Sequence, residues 1–492
     1  MKKGEAIMKE NKLLKAIINS KKKYPDSVSV TYREKEEYLS IDYEELYSYI
    51  LSLSSYLKSL KVKKFAIIGN NKLEYLVSML SVLCNIGDVI LIDKELNEED
   101  ILNIFKKYNP EAIILDEDIN LSFKDYKVIN FNKINEEMKK KNDFKINLKF
   151  SGNLILHTSG TTGEPKCIKL SCENYFSVIP ELNRKWKVVN GQSCLLIIPL
   201  YHIYAITSLF HGLYAGINNI LEWDYKRLNN VLSITKPYLF MGVPLMYNKV
   251  KDTVLSKSGK KVKTAIIISN ILLKLKVDIR KKLFKEIHNY FGGNYVFGCS
   301  AGSLLPYETS KFFNDIGLPI YNVYGMTETS GPVAISYKNH NLYDSVGEIL
   351  DINKVKIINQ DESGVGEVLI KGKNVFAGYI NENSKKCFEN DYYNTGDIGY
   401  IKDNYLYIIG RKKNILIGDN GKNISPEEII KKILKNKMIH DCNVIMKNNK
   451  LIAIVNTELT PEEMQKYIDE VNKKLPKYKN ISDFEITTKK IK

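Results

Sequence analysis

Apolar and polar positions fall into a repeating pattern from about residue 65. Phe65 to Gly69 (FAIIG) is a short continuous apolar run. Lys72 to Cys84 then reads at helical spacing, and Val89 to Asp93 (VILID) is apolar again. A second helical stretch follows Asn97 and opens on Glu98, Glu99 and Asp100, carboxylates placed where the helix dipole favours them. Ala112 to Asp116 (AIILD) closes the series. Short apolar runs separated by amphipathic stretches predict βαβ units, with a parallel sheet covered on both faces. Further runs at 194–200, 238–243, 295–297 and 320–323 extend the pattern, each meeting a Gly, Pro or His near its end. In open α/β sheets ligands bind outside the carboxyl ends of strands, so the chemistry is expected in these loops.

After about Gly366 the texture changes. The runs GEVLIKGKNVFAGYI and YLYIIGRKKNILI alternate as antiparallel strands do, and a charged helix–strand–helix segment runs from Pro426 onward. The expected organisation is α/β: a large N-terminal part (1–411) of βαβ-built sheets with a β-barrel-like portion, a hinge near Arg411, and a small, mobile α+β C-terminal domain (412–492). A length of 492 residues agrees with more than one core.

Composition narrows the function classes. With 44% apolar and 26% charged residues the chain reads as a soluble globular protein. Its net charge of +16 attracts anions such as ATP, coenzyme A, an acidic carrier domain or nucleic acid. The lysines are spread along the chain, and runs such as Lys21–Lys23 and Lys139–Lys141 read as solvated faces. No zinc-finger spacing or RNA-binding signature accompanies them, which argues against nucleic acid. Seven cysteines without a CxxC pair, and six histidines without HxxxH or HExxH spacing, argue for reduced thiols and against a disulfide framework or a metal cluster. No signal-peptide pattern opens the sequence, and its most apolar stretch, Ala265 to Leu275, is broken by Ser269, Asn270 and Lys274. The expected location is the cytoplasm.

The sharpest local feature is Leu154 to Lys166, LILHTSGTTGEPK. An apolar strand runs into Thr158, Ser159, Gly160, Thr161, Thr162 and Gly163, followed by Glu164, Pro165 and Lys166. Two glycines let the backbone curl so that successive N–H groups point at one anion, and four hydroxyls and an ammonium surround the same space. That chemistry suits a triphosphate. It is not a Walker A loop, because Cys167 stands where a Mg²⁺-binding Ser or Thr follows the lysine.

SGTTGEPK resembles the phosphate-binding signature of the adenylate-forming superfamily, which includes acyl-CoA synthetases, adenylation domains of peptide synthetases and luciferases. Three further stretches resemble its later motifs, in the family's order: Tyr324 to Glu328 (YGMTE), Tyr393 to Asp397 (YNTGD), and Ile409 to Lys413 with Gly421 to Glu428 (GKNISPEE). The resemblance implies that Thr158, Ser159, Gly160, Thr161, Thr162, Gly163 and Lys166 hold the β- and γ-phosphates. It places Tyr324 and Gly325 against adenine, Thr327 on the α-phosphate, and Glu328, with Thr161, at Mg²⁺. Asp397 would accept the ribose hydroxyls and Arg411 would hold the ribose from the far side. Lys413 matches the hinge position. Ser300, Ala301 and Gly302 resemble the loop beside adenine and the acyl pocket, although they depart from the commoner Gly-Gly-Ala-Pro form. The reaction implied is attack of a carboxylate on the α-phosphorus of ATP, then transfer of the acyl group to a thiol, either coenzyme A or a carrier-bound phosphopantetheine.

Pro199 to Tyr204 (PLYHIY) resembles the acyl-pocket motif, with His202 and Ile203 on the pocket. Domains that activate α-amino acids place an Asp after this His, and apolar Ile203 cannot pair an ammonium. An apolar acyl or aryl acid is therefore expected, and the form NGKNISPEE is closest in style to long-chain fatty acyl ligases. At the C-terminal end the family's Pro-x-Thr-x-x-Gly-Lys-Ile segment has no full counterpart. Either Lys490 is the adenylation lysine in a tail without the Gly, or that lysine is missing. Alternatives left open are an amino-acid adenylation enzyme and a non-catalytic nucleotide-binding relative.

Overall fold

The computed structural model describes residues 10–142, 144–159, 165–414, 416–417, 423–447, 450–475 and 479–488. The chain forms two compact units, one of residues 1–354 with 371–386, the other of residues 355–370 with 387–492.

In the first unit, the strands expected from the apolar runs pair as a six-stranded sheet. Its order is Lys127–Asn130, Ala112–Leu115, Lys64–Ile68, Asp88–Ile92, Leu154–Ser159, Pro165–Leu170. All neighbours are parallel except the last pair. The helix Glu98–Tyr108 begins as the sequence indicates: Asn97 caps it by accepting the N–H of Asp100, three acids fill its first turn, and left-handed Asn109 ends it. Its Ile101, Ile104 and Phe105 pack on Ala66, Ile90 and Ile113 of the sheet, which explains the fully apolar strands.

A second sheet of this unit runs Gly347–Ile349, Gly331–Ile335, Ile320–Met326, Phe297–Ser300, Leu239–Gly242, Ser193–Leu196, Asn218–Leu221, Val28–Glu34, Glu37–Asp42. Its centre is parallel, and hairpin-like antiparallel strands finish both ends. The run expected at 295–297 is displaced, since the strand starts only at Phe297. Tyr295 instead lies in the core, and a Cβ at Gly298 would come within 2.3 Å of its hydroxyl. The apolar stretch 265–275 is the end of a 31-residue helix, Pro244–Lys274. No described helix is long and apolar enough to cross a membrane.

The second unit holds the antiparallel strands Tyr392–Lys402 and Tyr405–Arg411 and all but the last two residues of the strand Gly366–Gly372. The barrel-like portion expected from their alternation is an open ladder; no closed barrel forms among the described residues. Beyond it, Ile439–Lys447, Lys450–Thr457 and Ile481–Ile486 form a three-stranded sheet. The helices Pro426–Ile433 and Pro461–Asn472 cover this sheet around Ile429, Ile433, Ala453, Val455, Met464 and Ile468. All seven cysteines are free thiols.

Candidate active site

Strand Leu154–Ser159 and strand Pro165–Leu170 form a hairpin in which Thr158 faces Lys166 and Ser159 faces Pro165. The hydroxyl-rich residues between them, Gly160, Thr161, Thr162 and Gly163, lie outside the described residues, as do the Ser159 side chain and Lys490. The hairpin therefore fixes both stems of the turn. Thr158, Pro165 and Thr327 line one cavity of about 440 Å³, together with Asp93, His157, Tyr201 and His202. Thr158 of the hairpin and Thr327 of YGMTE, more than 160 residues apart in sequence, are thus brought to one cavity.

YGMTE itself is a strand end followed by a single tight turn, Thr327–Thr329. The Thr329 hydroxyl accepts the N–H of Met326 at 3.0 Å and donates to the Gly331 carbonyl at 2.7 Å. Gly325 packs so tightly on the returning strand that a Cβ there would lie 2.0 Å from the Gly331 oxygen. Its glycine is a packing requirement of the motif. A segment that sequence reasoning passed over clamps the turn from outside. Asn374 donates to the Thr329 carbonyl at 3.0 Å, and Phe376 N–H donates to the Glu328 carbonyl at 2.8 Å.

Tyr379 completes that clamp. Its hydroxyl donates to Glu328 Oε1 at 2.9 Å, and Lys166 Nζ sits 4.8 Å from its ring centroid. The same ammonium is 3.4 Å from Glu382 Oε2. Lys107 adds a second cation here, donating to the Pro165 carbonyl at 2.9 Å and lying 3.9 Å from Glu382. Sequence analysis missed Tyr379, Glu382 and Lys107. The available signal was Gly378, whose φ of +143° suits only glycine and turns the chain so that Tyr379 N–H reaches the Ser384 hydroxyl. Among the described residues no lysine or arginine pairs with Glu328. A carboxylate with one oxygen held by a phenol and no cation partner fits a hard divalent ion.

His202 occupies the N-cap position of the helix Ile203–Ala215 without a side-chain cap bond, and its ring is tilted 55° to that of Tyr201 with centroids 4.6 Å apart; Ile203, the first helical residue, is buried. Burial pulls the His202 pKa below its usual value, with Asp93 opposing. His157, on the hairpin strand, accepts the N–H of Asp93 through Nε2 at 3.0 Å, so its proton sits on Nδ1. Burial drives its pKa down from 6.5 to about 4, and buried His211 behaves alike. Unfolded chain binds protons on these rings near pH 6.5 while the folded protein binds them only near 4. Stability from this source is therefore lost as pH falls from about 6.5 to about 4. The thermal midpoint is expected to drop through that window, and His157→Gln, which keeps an acceptor for Asp93 N–H, should flatten the slope. Identical slopes for variant and wild type would contradict this assignment.

Ser300 ends its strand at the carboxyl edge of the second sheet, its hydroxyl buried without a partner among the described residues. Ala301 and Gly302 follow, the latter at φ +86°. Tyr324 lies in the strand Ile320–Met326, half-buried. In the second unit, Asp397 is buried opposite Arg411 on the neighbouring strand and accepts its Nε at 2.8 Å. Arg411 also donates to the Thr395 carbonyl at 2.9 Å. The two residues assigned to the ribose thus hold each other. Lys413 lies on an exposed turn, Lys412–Asn414.

The sequence pattern of the AMP-binding enzymes matches residues 18–380, most of the chain. The chain belongs to the AMP-binding enzyme family. Within it, the chain is 33% identical over 305 residues to long-chain-fatty-acid–CoA ligase ACSBG2 of Mus musculus, a match covering 56% of this chain and 46% of that protein. It is 30% identical over 319 residues to long-chain-fatty-acid–CoA ligase FadD15 of Mycobacterium tuberculosis, covering 59% and 52%. The chain spans about half the length of these curated relatives. A 2-succinylbenzoate–CoA ligase of Bacillus thuringiensis is 24% identical over 484 residues, covering 92% of this chain and 90% of that one. Among solved AMP-binding enzymes, O-succinylbenzoate coenzyme A synthetase from Bacillus subtilis superposes with a TM-score of 0.76 at 18% identity, covering 98% and 99%. That likeness establishes the adenylate-forming α/β fold for this chain.

Proposed function

We propose that the protein activates an organic acid with ATP, forming an acyl-adenylate and pyrophosphate, and then transfers the acyl group to a thiol. The observation that carries this reading is the joining, through Tyr379, of Lys166 beside the threonine-rich turn to Glu328 of YGMTE. A cation for phosphate and an acid for metal are thereby held on one side chain. Lys166, Lys107 and the turn would bind the polyphosphate. Glu328, with Thr161, would hold Mg²⁺, which when bound supplies charge neutralisation at the phosphates. Tyr324 and the Ser300–Gly302 loop would receive adenine, Thr327 the α-phosphate, and Asp397 with Arg411 the ribose.

The nucleophile is a carboxylate, already ionised at neutral pH, so the first step needs no general base. The oxygen attacks the α-phosphorus and pyrophosphate leaves. What the chain supplies is alignment and the gathering of positive charge. In the second step the thiol sulfur attacks the acyl carbon and AMP leaves. The names of the relatives, all CoA ligases, favour coenzyme A over a carrier-bound phosphopantetheine. Buried Ile203 beside His202 favours an apolar acyl or aryl acid over an amino acid.

Pyrophosphate exchange into ATP across a panel of fatty, aryl and amino acids tests the reading. Exchange driven by fatty or aryl acids supports it, exchange with amino acids alone reverses the substrate assignment, and none with any acid points to a non-catalytic relative. Asp397→Asn is expected to raise the KM for ATP by about 10- to 100-fold with a smaller change in kcat, because a charged acceptor is lost. An unchanged KM would remove Asp397 from the nucleotide site.

A further inference from the structure

The helix Pro244–Lys274 commits only one side to the core. Val250, Val254, Val262, Ala265 and Ile266 pack on the cluster that contains Phe291 and Phe313. The other side is uncovered: Ile267, Ile268 and Ile271 are 61%, 48% and 56% exposed, and Leu275 and Val277 just beyond the helix are 67% and 47% exposed. With 3.6 residues per turn, Ile267, Ile268, Ile271 and Leu275 fall within an arc of about 100°. They make one contiguous stripe, and contiguous exposed apolar surface of this kind marks an interaction site more often than scattered single residues do.

The sequence on and after this part of the helix is strongly basic. Residues 257–285 carry nine lysines and Arg280 against a single acid, Asp278, and so supply more than half of the net charge of +16. Arg280 is already held by Asp278 at 2.6 Å. The nine lysines are all exposed, and none forms an ion pair among the described residues. Lys257, Lys260 and Lys261 continue the stripe toward the helix N-terminus, Lys263 and Lys274 flank it, and Lys276, Lys281, Lys282 and Lys285 follow it.

We propose that this face docks on an anionic lipid bilayer, lying in the interface with the isoleucines at the headgroup–acyl boundary and the lysines on lipid phosphates. The helix would rest on the membrane, consistent with no described helix being long and apolar enough to cross one. Charge complementarity selects this occupant. A second copy would bring two unpaired lysine arrays together. A protein partner would be met by aromatic anchors, whereas the stripe is purely aliphatic.

The test is cosedimentation of the full chain with vesicles of phosphatidylcholine alone and of phosphatidylcholine with about a third phosphatidylglycerol. Binding is expected to the anionic vesicles only, with release by added salt. The triple variants Lys260→Glu/Lys261→Glu/Lys263→Glu and Ile267→Ser/Ile271→Ser/Leu275→Ser should each lower the partition coefficient by at least about 10-fold. Because these positions are exposed, both variants should keep the wild-type thermal midpoint. Equal binding to the two vesicle types, or no binding to either, overturns the proposal. Undiminished binding by the Ile267→Ser/Ile271→Ser/Leu275→Ser variant overturns it, because the lysines would then adsorb to the anionic surface without the apolar stripe entering the interface. A lipid-free dimer that either variant dissolves overturns it in favour of a second copy.

Discussion

Glu328→Gln is expected to lower acid-dependent ATP–pyrophosphate exchange by about 100- to 1,000-fold, the usual size of losing one preorganised charge-stabilising group. The substitution is nearly isosteric, and an amide oxygen can still accept the Tyr379 hydroxyl that now reaches Oε1 at 2.9 Å. The backbone bond from Phe376 to the Glu328 carbonyl is untouched, so the turn keeps its shape. What disappears is the formal charge of an acid that no described lysine or arginine neutralises. Thermal unfolding should therefore match wild type while exchange collapses. Near-normal exchange would take Glu328 out of the metal site.

The second large effect is on stability. Glu222 is fully buried at the end of strand Asn218–Leu221. Its Oε1 accepts the N–H groups of Trp223 at 2.8 Å and Asp224 at 3.0 Å and lies 3.3 Å from Arg33. Its Oε2 accepts the Tyr38 hydroxyl and faces Arg227 at 3.9 Å. The Arg33 guanidinium, 3.9 Å above the Trp223 ring, depends on this carboxylate for its counter-charge. Glu222→Ala leaves it uncompensated in the interior, which costs about 3–5 kcal/mol. A large fall in the urea midpoint is the expected result, and an unchanged midpoint would refute the account. The Glu222 carbonyl accepts from Asn71 at 3.1 Å, and Asn71 in turn receives the Leu200 N–H at 2.9 Å. Loss of the anchor should therefore also loosen the 199–202 loop that carries His202, and raise the KM for the acid.

Much of the first unit was legible in the sequence because its parallel strands are buried on both faces. Continuous apolar runs such as FAIIG and VILID read as buried strands in a chain of this polarity, and the capping Asn97 and the acids after it announced the helix that follows VILID. The phosphate turn and YGMTE were legible for a different reason: dense hydroxyls and glycines at fixed places are chemically expensive to keep as mere surface. Tyr379 was not, because a lone tyrosine at the end of a strand-like run carries no pattern of its own. Its role comes from a backbone turn at Gly378 and from tertiary pairing, with Ile380 N–H donating to the Cys167 carbonyl at 2.8 Å. The lipid-facing stripe was hidden because Ser269, Asn270 and Lys274 break the apolar run in linear order. Ser269 and Asn270 turn out to lie off the face that Ile267, Ile271 and Leu275 share.

The Tyr379 clamp carries a thermodynamic corollary. Lys166 now has Glu382 as its counter-ion, so an arriving phosphate must displace that carboxylate and draw the ammonium along or off the aromatic ring. The same phenol fixes the orientation of Glu328. Whatever nucleotide does to Lys166 is therefore felt at the acid, and by linkage whatever an ion does at the acid is returned to the nucleotide in equal measure. With Lys166 assigned to phosphate and Glu328 to the ion, as proposed above, Tyr379 would add to the direct coupling of the two occupants, and its removal would weaken that coupling.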